Sequence, residues 1–151
     1  MKEKIVVILG SKNDKERLKD GFDILKQLKL DYKLEVISAH RQPEELRKFC
    51  LDIAEGGAQV VIACAGMAAA LPGFVAAYVD IPVIGVALEG GLVGGLDALF
   101  SIVSTPKGIG LVSSGVGKSA FINAIIFSLE ILSLKDKEYK DKLKELKNKF
   151  K

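Results

Sequence analysis

The chain has 151 residues, which is most simply one domain that is long enough to bury a core. Its formal net charge is only +3, and because lysines are concentrated in residues 135–151 the remainder is close to neutral, which argues against nucleic acid as a partner. Hydrophobic residues make up 49% of the chain but aromatic residues only 7%, so we expect a core of small aliphatic side chains and some apolar surface buried between subunits.

Cysteine spacing and hydropathy bear on metal binding and location. Cys50 and Cys64 lack the spacing of metal ligands, and with a single histidine in the chain they predict no zinc site.

Residues 1–4 lead directly into a strand pattern without a signal peptide, so we expect a protein of the reducing cytosol. Residues 56–79 carry no charge and are numerous enough to span a bilayer, but glycines and Pro72 interrupt them. This favours a strand, a loop and a short buried helix over a membrane segment.

Strand and helix patterns alternate along the chain. Aliphatic runs predict strands at 5–9, 33–37, 60–63 and 82–86, and a weaker strand at 109–112. The helical spacing of Leu18, Phe22, Leu25 and Leu28 predicts a helix whose first turn is capped by Asn13 or Asp14. Further helices are expected from Pro43 to the glycines at 56 and 57, from Leu71 onward, at 96–103 and at 120–132.

This alternation predicts a doubly wound α/β domain over residues 1–134, with a five-stranded parallel sheet between two layers of helices. Residues 135–151 form a Lys-rich amphipathic helix. Its apolar side chains are Tyr139, Leu143, Leu146 and Phe150, which fall on one face. We expect this C-terminal helix to pack on its own body or on a neighbouring subunit.

Three loops follow the first three strands, and parallel strands bring their carboxyl ends to one edge of the sheet, where ligands bind. The loop at 10–14 offers a hydroxyl and a carboxylate beside a helix start, and the loop at 64–73 offers small side chains that expose backbone N–H groups. The loop at 38–41 holds His40, the only histidine, which is the candidate proton carrier near neutral pH, and Arg41, a permanent cation. Together the loops predict a pocket for a small phosphorylated metabolite.

Other motifs are incomplete. Gly117-Lys118-Ser119 ends like a phosphate-binding P-loop, but Val112 stands where the first glycine of that pattern belongs. Gly115-x-Gly117-x-x-Ala120 fits a dinucleotide fingerprint, but no second strand with a ribose-binding acid follows, so we expect a turn and a helix start. No Gly-x-Ser-x-Gly elbow lies at a strand–helix junction, which disfavours a serine hydrolase.

The ordered motifs resemble the PurE family of purine biosynthesis over nearly the whole chain except the tail. They are Gly10-Ser11-x-x-Asp14, Ser38-Ala39-His40-Arg41-x-Pro43, Ala65-Gly66-x-Ala68-Ala69-x-Leu71-Pro72-Gly73, Pro82-Val83-Ile84-Gly85-Val86, Leu96-Asp97-Ala98-Leu99-x-Ser101-Ile102-Val103-x-x-Pro106-x-Gly108 and Asn123-Ala124. The resemblance implies a flavodoxin-like subunit, an octamer, and carboxyl transfer on aminoimidazole ribonucleotide. The carboxyl source would be the N5-carboxy form, in a mutase, or carbon dioxide, in a carboxylase.

The same resemblance implies roles for individual residues. His40 would be the proton shuttle, Ser38 and Arg41 would hold the phosphate, and Ser11 and Asp14 the phosphate and ribose. The remaining substrate-binding positions implied are Gly10, Ala39 and Leu71, together with Ala65, Gly66, Ala68 and Ala69, whose backbone would hold the imidazole and carboxylate. No metal or organic cofactor, nucleic acid or membrane is implied.

Five positions depart from the family pattern. Ala70 stands where a histidine usually precedes Leu-Pro-Gly, and the others are Met67, Asn13, Thr105 and Gly110. Two alternatives therefore stay open beside the mutase. One is a divergent carboxylase of another phosphorylated heterocycle, similar to the LarB-type enzymes in the motif at 65–72. The other is a non-catalytic nucleotide-binding paralogue.

Overall fold

The structure, a computed structural model, describes residues 3–151. Met1 and Lys2, which belong to the segment predicted to lead into the first strand without a signal peptide, lie outside the described residues. Five parallel strands form one sheet in the order β2-β1-β3-β4-β5. The strands are β1 Ile5–Leu9, β2 Tyr32–Val36, β3 Val60–Ala65, β4 Val83–Ala87 and β5 Val112–Val116. The helices are α1 Asn13–Arg17, α2 Lys19–Gln27, α3 Pro43–Glu55, α4 Ala70–Tyr78, α5 Leu96–Val103, α6 Gly117–Ser133 and α7 Lys137–Asn148.

Helices cover both faces of the sheet because the central strands are apolar on both faces. In β1, alternate residues face opposite layers: Ile5, Val7 and Leu9 join a core with α2 and α6, whereas Val6 and Ile8 join a core with α3, α4 and α5. Every residue of β1, β3 and β4 is buried. The predicted three-layer doubly wound α/β fold is confirmed.

The fifth strand was predicted in the wrong place. The prediction at 109–112 overlaps the observed β5 only at Val112, because the Ile109 N–H closes a turn onto the Pro106 carbonyl at 3.2 Å. β5 is an edge strand whose residues are half-buried or exposed, and its interior is Ser113-Ser114-Gly115. A search for apolar runs therefore passes over the strand and selects the aliphatic residues before it.

The helix predicted after β1 is two helices, and its predicted cap is wrong. The chain leaves helical geometry at Leu18, so α1 ends there and α2 begins at Lys19. Neither Asn13 nor Asp14 caps α1: both lie inside it, and the Ser11 hydroxyl accepts the Asn13 N–H at 3.4 Å. The Asp14 side chain is consequently free of the capping role.

The C-terminal helix α7 packs on the chain's own body. Leu146 is fully buried, and Tyr139 and Leu143 pack against the core that contains α6, whereas Phe150 stays exposed. The Lys4 ammonium lies 3.2 Å from an Asp136 carboxylate oxygen and 5.1 Å from the centre of the Tyr139 ring, which joins the start of α7 to the N-terminal segment. Within residues 3–151, no helix is both long and apolar enough to cross a bilayer.

Candidate active site

A cleft of about 670 Å³ opens at the carboxyl edge of the sheet, where the segments after β1, β2, β3 and β4 meet. The structure brings all of the predicted site residues to its wall: Gly10, Ser11, Asp14, Ser38, Ala39, His40, Arg41, Ala65, Gly66, Ala68, Ala69 and Leu71. The wall also contains Asn13, Arg17, Met67, Ala70, Glu89, Gly90 and Gly91.

The loop after β1 presents a carboxylate that is largely removed from water. The Gly10 N–H donates to the Cys64 carbonyl at 3.1 Å, which continues the pairing of β1 with β3 beyond the strand and fixes the loop. Asp14 in the first turn of α1 is only 7% exposed. This burial raises the pKa of Asp14, against the lowering effect of the Arg17 charge and of a backbone hydrogen bond from Ser11. The cleft thus holds a carboxyl whose pKa is raised by burial and lowered by a neighbouring guanidinium.

The loop after β2 presents the imidazole and a second guanidinium. The Gln42 N–H donates to the Ser38 carbonyl at 2.8 Å, which closes a turn immediately before α3. The Ser38 hydroxyl accepts hydrogen bonds from the Arg41 main-chain N–H at 3.4 Å and from its Nε–H at 3.2 Å, which aligns the Arg41 side chain. The two terminal nitrogens of Arg41 make no hydrogen bond to the described residues. His40 is exposed, and its ring makes no hydrogen bond to any residue in the described part of the chain. Both ring nitrogens are therefore open to a ligand.

The loop after β3 exposes backbone donors. Met67 and Ala69 have positive φ values of 57° and 26°, a left-handed conformation that non-glycine residues seldom adopt, and the Ala69 N–H donates to the Gly66 carbonyl at 3.1 Å. No side chain caps the start of α4 at Ala70, so its first N–H groups remain available to an anion. Met67 is 67% exposed and, like Ala70, lines the cleft.

The segment after β4 and Arg17 of α1 were missed by the sequence reasoning. Glu89, Gly90 and Gly91 line the cleft, and an Arg17 guanidinium nitrogen donates to the Glu89 carbonyl. The Leu92 N–H donates to an Asp97 carboxylate oxygen at 3.1 Å, which holds the far end of this segment. The signal that could have found this segment is its glycine content, with glycines at 90, 91, 94 and 95 directly after a predicted strand. The general rule that every parallel strand delivers its loop to the same edge would have placed the segment in the site.

The two cysteines are buried and free. Burial raises the pKa of the Cys50 thiol to about 11, and burial followed by the nearby Asp14 charge raises the pKa of Cys64 well above its usual range. No group of three or more His, Cys, Asp or Glu side chains within residues 3–151 is arranged to hold a metal ion. The polar groups of the cleft wall include the imidazole, two guanidiniums, the Asp14 and Glu89 carboxyls and uncapped backbone N–H groups.

Comparisons with known proteins identify the family of this chain. Residues 4–151 match the family described as AIRC: AIR carboxylase. A Saccharolobus solfataricus protein named N5-carboxyaminoimidazole ribonucleotide mutase is 42% identical over 94% of this chain and 89% of its own length, and a Pyrococcus abyssi protein of the same name is 43% identical over 98% and 84%. The crystal structure of Treponema denticola PurE superposes with a TM-score of 0.84 at 25% identity, covering 96% of this chain and 89% of that chain. The resemblance in the motifs is confirmed: the chain belongs to the AIR carboxylase family, which is the PurE family.

Proposed function

We propose that the chain is an N5-carboxyaminoimidazole ribonucleotide mutase of purine biosynthesis, which moves a carboxyl group from the exocyclic nitrogen to C4 of the imidazole. The names of its relatives support this reaction. The observation that carries it is the position of His40, the only histidine, on the wall of a cleft beside the aligned Arg41.

The reaction proceeds by release and recapture of carbon dioxide. The N–C bond of the carbamate breaks, carbon dioxide leaves, and the nitrogen takes up a proton from the His40 imidazolium. C4 then attacks the trapped carbon dioxide to form the new C–C bond. Neutral His40 removes the proton from C4, and the electron pair of that C–H bond restores the aromatic ring. Substrate and product are isomers, and one imidazole that gives and takes one proton balances the reaction.

The other residues of the cleft bind the nucleotide in this scheme. Arg41 and Ser38 hold the phosphate, because a guanidinium and a hydroxyl aligned at 3.2 Å form a fork for an oxyanion. Ser11 and Asp14 bind the phosphate and the ribose. The Asp14 carboxylate accepts hydrogen bonds, and the Ser11 hydroxyl can donate one. The backbone of residues 65–69, with its small side chains, lies against the ring and the carboxylate. Ala39 and Leu71 are buried and belong to the core beneath the cleft.

A second candidate is a carboxylase of another phosphorylated heterocycle. It is favoured by Ala70 and Met67, because both depart from the family pattern and both line the cleft, whose wall holds only one imidazole. A pyridine nucleotide, whose six-membered ring is larger than an imidazole, represents this candidate in the test below. The donor of the carboxyl group, carbamate or free carbon dioxide, is a further distinction between mutase and carboxylase.

A thermal-shift panel with an interconversion assay separates the candidates. A ligand that binds only the folded chain raises its melting temperature, so aminoimidazole ribonucleotide is expected to give a shift and nicotinic acid mononucleotide none. The wild-type chain is expected to interconvert the two carboxylated imidazole nucleotides without bicarbonate. A shift with the pyridine nucleotide alone would transfer the proposal to the second candidate. Binding of aminoimidazole ribonucleotide without interconversion would indicate a non-catalytic paralogue.

We also propose that the chain acts in the cytoplasm as a homo-oligomer, an octamer by resemblance to its family. In support, α5 exposes Leu96, Phe100 and Val103, which lie at positions i, i+4 and i+7 and form one apolar stripe. Light scattering after size exclusion is expected to give a mass about eight times that of the chain. Phe100→Glu is expected to give smaller species, and an unchanged mass in that variant would contradict the use of α5.

A further inference from the structure

Arg17 of α1 joins two parts of the cleft wall that are far apart in sequence. Its Nη1 lies 3.9 Å from an Asp14 carboxylate oxygen, and its Nη2 donates to the backbone carbonyl of Glu89. The first contact is to the loop after β1, and the second is to the segment after β4. One side chain therefore connects a candidate ligand-binding carboxyl to the segment Glu89–Gly91, which forms one lip of the cleft.

Gly90 allows this connection. It has a φ of +96°, and a Cβ placed on it would lie 3.2 Å from the Arg17 Nη2. The guanidinium thus lies directly against backbone at Gly90. With Gly90 and Gly91 both in left-handed geometry, the segment is held by two contacts at its ends, the Arg17 bond to Glu89 and the Asp97 bond to the Leu92 N–H. We therefore expect the loss of either contact to increase the mobility of this segment.

The charges around Asp14 show what Arg17 contributes. On α1 the facing charge is Arg17 itself, and on β3 the facing titratable group is the buried Cys64 thiol. The other titratable groups of the cleft wall are His40, Arg41 and Glu89. Burial disfavours the carboxylate, and the Arg17 charge opposes that effect. A carboxylate accepts hydrogen bonds from sugar hydroxyls at both oxygens, whereas a protonated carboxyl has lost part of this capacity.

We propose that Arg17 is a positioning residue of the carboxyl-transfer reaction, which pairs with the Asp14 carboxylate that accepts from the substrate sugar and fixes the Glu89–Gly91 lip beside it. The inference rests on the proposed function for the identity of the substrate. The contacts of Arg17 with Asp14 and Glu89 are independent of that identity, so the two can be tested apart.

The first test follows the Asp14 carboxyl carbon by NMR during a pH titration, with Asp14→Asn for assignment. Arg17→Gln removes the charge, Arg17→Lys keeps it, and Arg47→Gln removes an equal charge from the exposed face of α3, away from the cleft. The Asp14 midpoint is expected to rise by roughly 0.2 to 0.7 pH unit in Arg17→Gln, the size of a partly exposed ion pair, and to stay near wild type in the other two. An unchanged midpoint in a folded Arg17→Gln protein would overturn the charge role.

The second test measures the lip and the reaction. Amide exchange at Gly90 and Gly91 is expected to be faster in Arg17→Gln and Arg17→Lys than in Arg47→Gln, and equal rates would overturn the fixing of the lip. The acid limb of the pH profile of kcat/KM is expected to move upward in Arg17→Gln by the same amount as the Asp14 midpoint, and not to move in an Asp14→Asn background. An inactive wild-type chain would overturn the proposed function and leave the titration and exchange results as they stand.

Discussion

Removal of the Arg41 guanidinium is expected to weaken substrate binding with little change in turnover. Among the described residues, only the main-chain N–H and Nε of Arg41 are used, both by the Ser38 hydroxyl, so both terminal nitrogens are free for a phosphate. Hydrogen bonds to a charged partner contribute about 1.5 to 3 kcal/mol, which at about 1.4 kcal/mol per decade predicts a rise in KM of roughly 10- to 150-fold in Arg41→Met. Because the phosphate is remote from C4, the loss is of uniform binding and falls on KM.

The assay is the initial rate of interconversion at fixed pH and ionic strength. Ser38→Ala leaves the Arg41 charge but removes the acceptor that aligns it, so a smaller rise in KM of about 2- to 12-fold is expected. Arg47→Met is the matched control, since it removes an arginine from the exposed surface of α3. Added salt is expected to raise the wild-type KM more steeply than that of Arg41→Met.

The comparison of KM between Arg41→Met and Arg47→Met decides whether Arg41 holds the phosphate. If Arg41→Met has a KM within about twofold of Arg47→Met, a factor that corresponds to less than about 0.5 kcal/mol, then Arg41 does not hold the phosphate. If kcat falls while KM is unchanged, Arg41 acts on the reacting carboxyl group and the ligand lies in the cleft in the opposite direction.

Two further predictions concern stability. A Cβ at Gly21 would lie 2.3 Å from Cδ1 of the fully buried Phe121, so Gly21→Ala is expected to lower the free energy of unfolding, measured in urea, by about 1 to 3 kcal/mol. Gly110 has open space around it, so Gly110→Ala should change that free energy by less than about 0.5 kcal/mol. Equal urea midpoints for the two variants would contradict the close packing of α2 on α6. Burial raises the pKa of Asp14 in the folded chain, so this carboxyl contributes stability that is present below its unfolded pKa and lost as pH rises through the folded pKa. Asp14→Asn is therefore expected to be more stable than wild type at pH 7 and equal to it near pH 3, and a less stable variant at pH 7 would show that the Arg17 pair outweighs burial.

The elements that were predicted correctly are those whose position depends mainly on their own residues. β1 lies where it was predicted because an uninterrupted aliphatic run fits a strand buried on both faces. α3 begins at Pro43 and ends before Gly56, as its start and stop residues indicate. β5 was misplaced because an edge strand needs few apolar residues. Asp14 was assigned a capping role because local spacing cannot distinguish a cap from a buried carboxyl.

Part of the candidate site was also predictable from the sequence, because the topology of the sheet determines where the loops meet. Loops after the first three strands carry His40, Arg41 and Asp14, and the parallel topology alone brings them together. The role of Arg17 was not predictable, because its contact with the Glu89 carbonyl spans 72 positions and is made to backbone, which leaves no trace in residue type.

In the proposed reaction, His40 carries the proton between the exocyclic nitrogen and C4. This role is tested by the exchange of the C4 proton of aminoimidazole ribonucleotide with deuterated solvent, together with interconversion, in wild type and His40→Asn. We expect the wild type to exchange this proton and His40→Asn to lose both activities by about 100-fold or more, the usual contribution of a general base, while its thermal shift with the nucleotide is retained. Exchange and interconversion at the wild-type rate in His40→Asn would show that another group carries the proton.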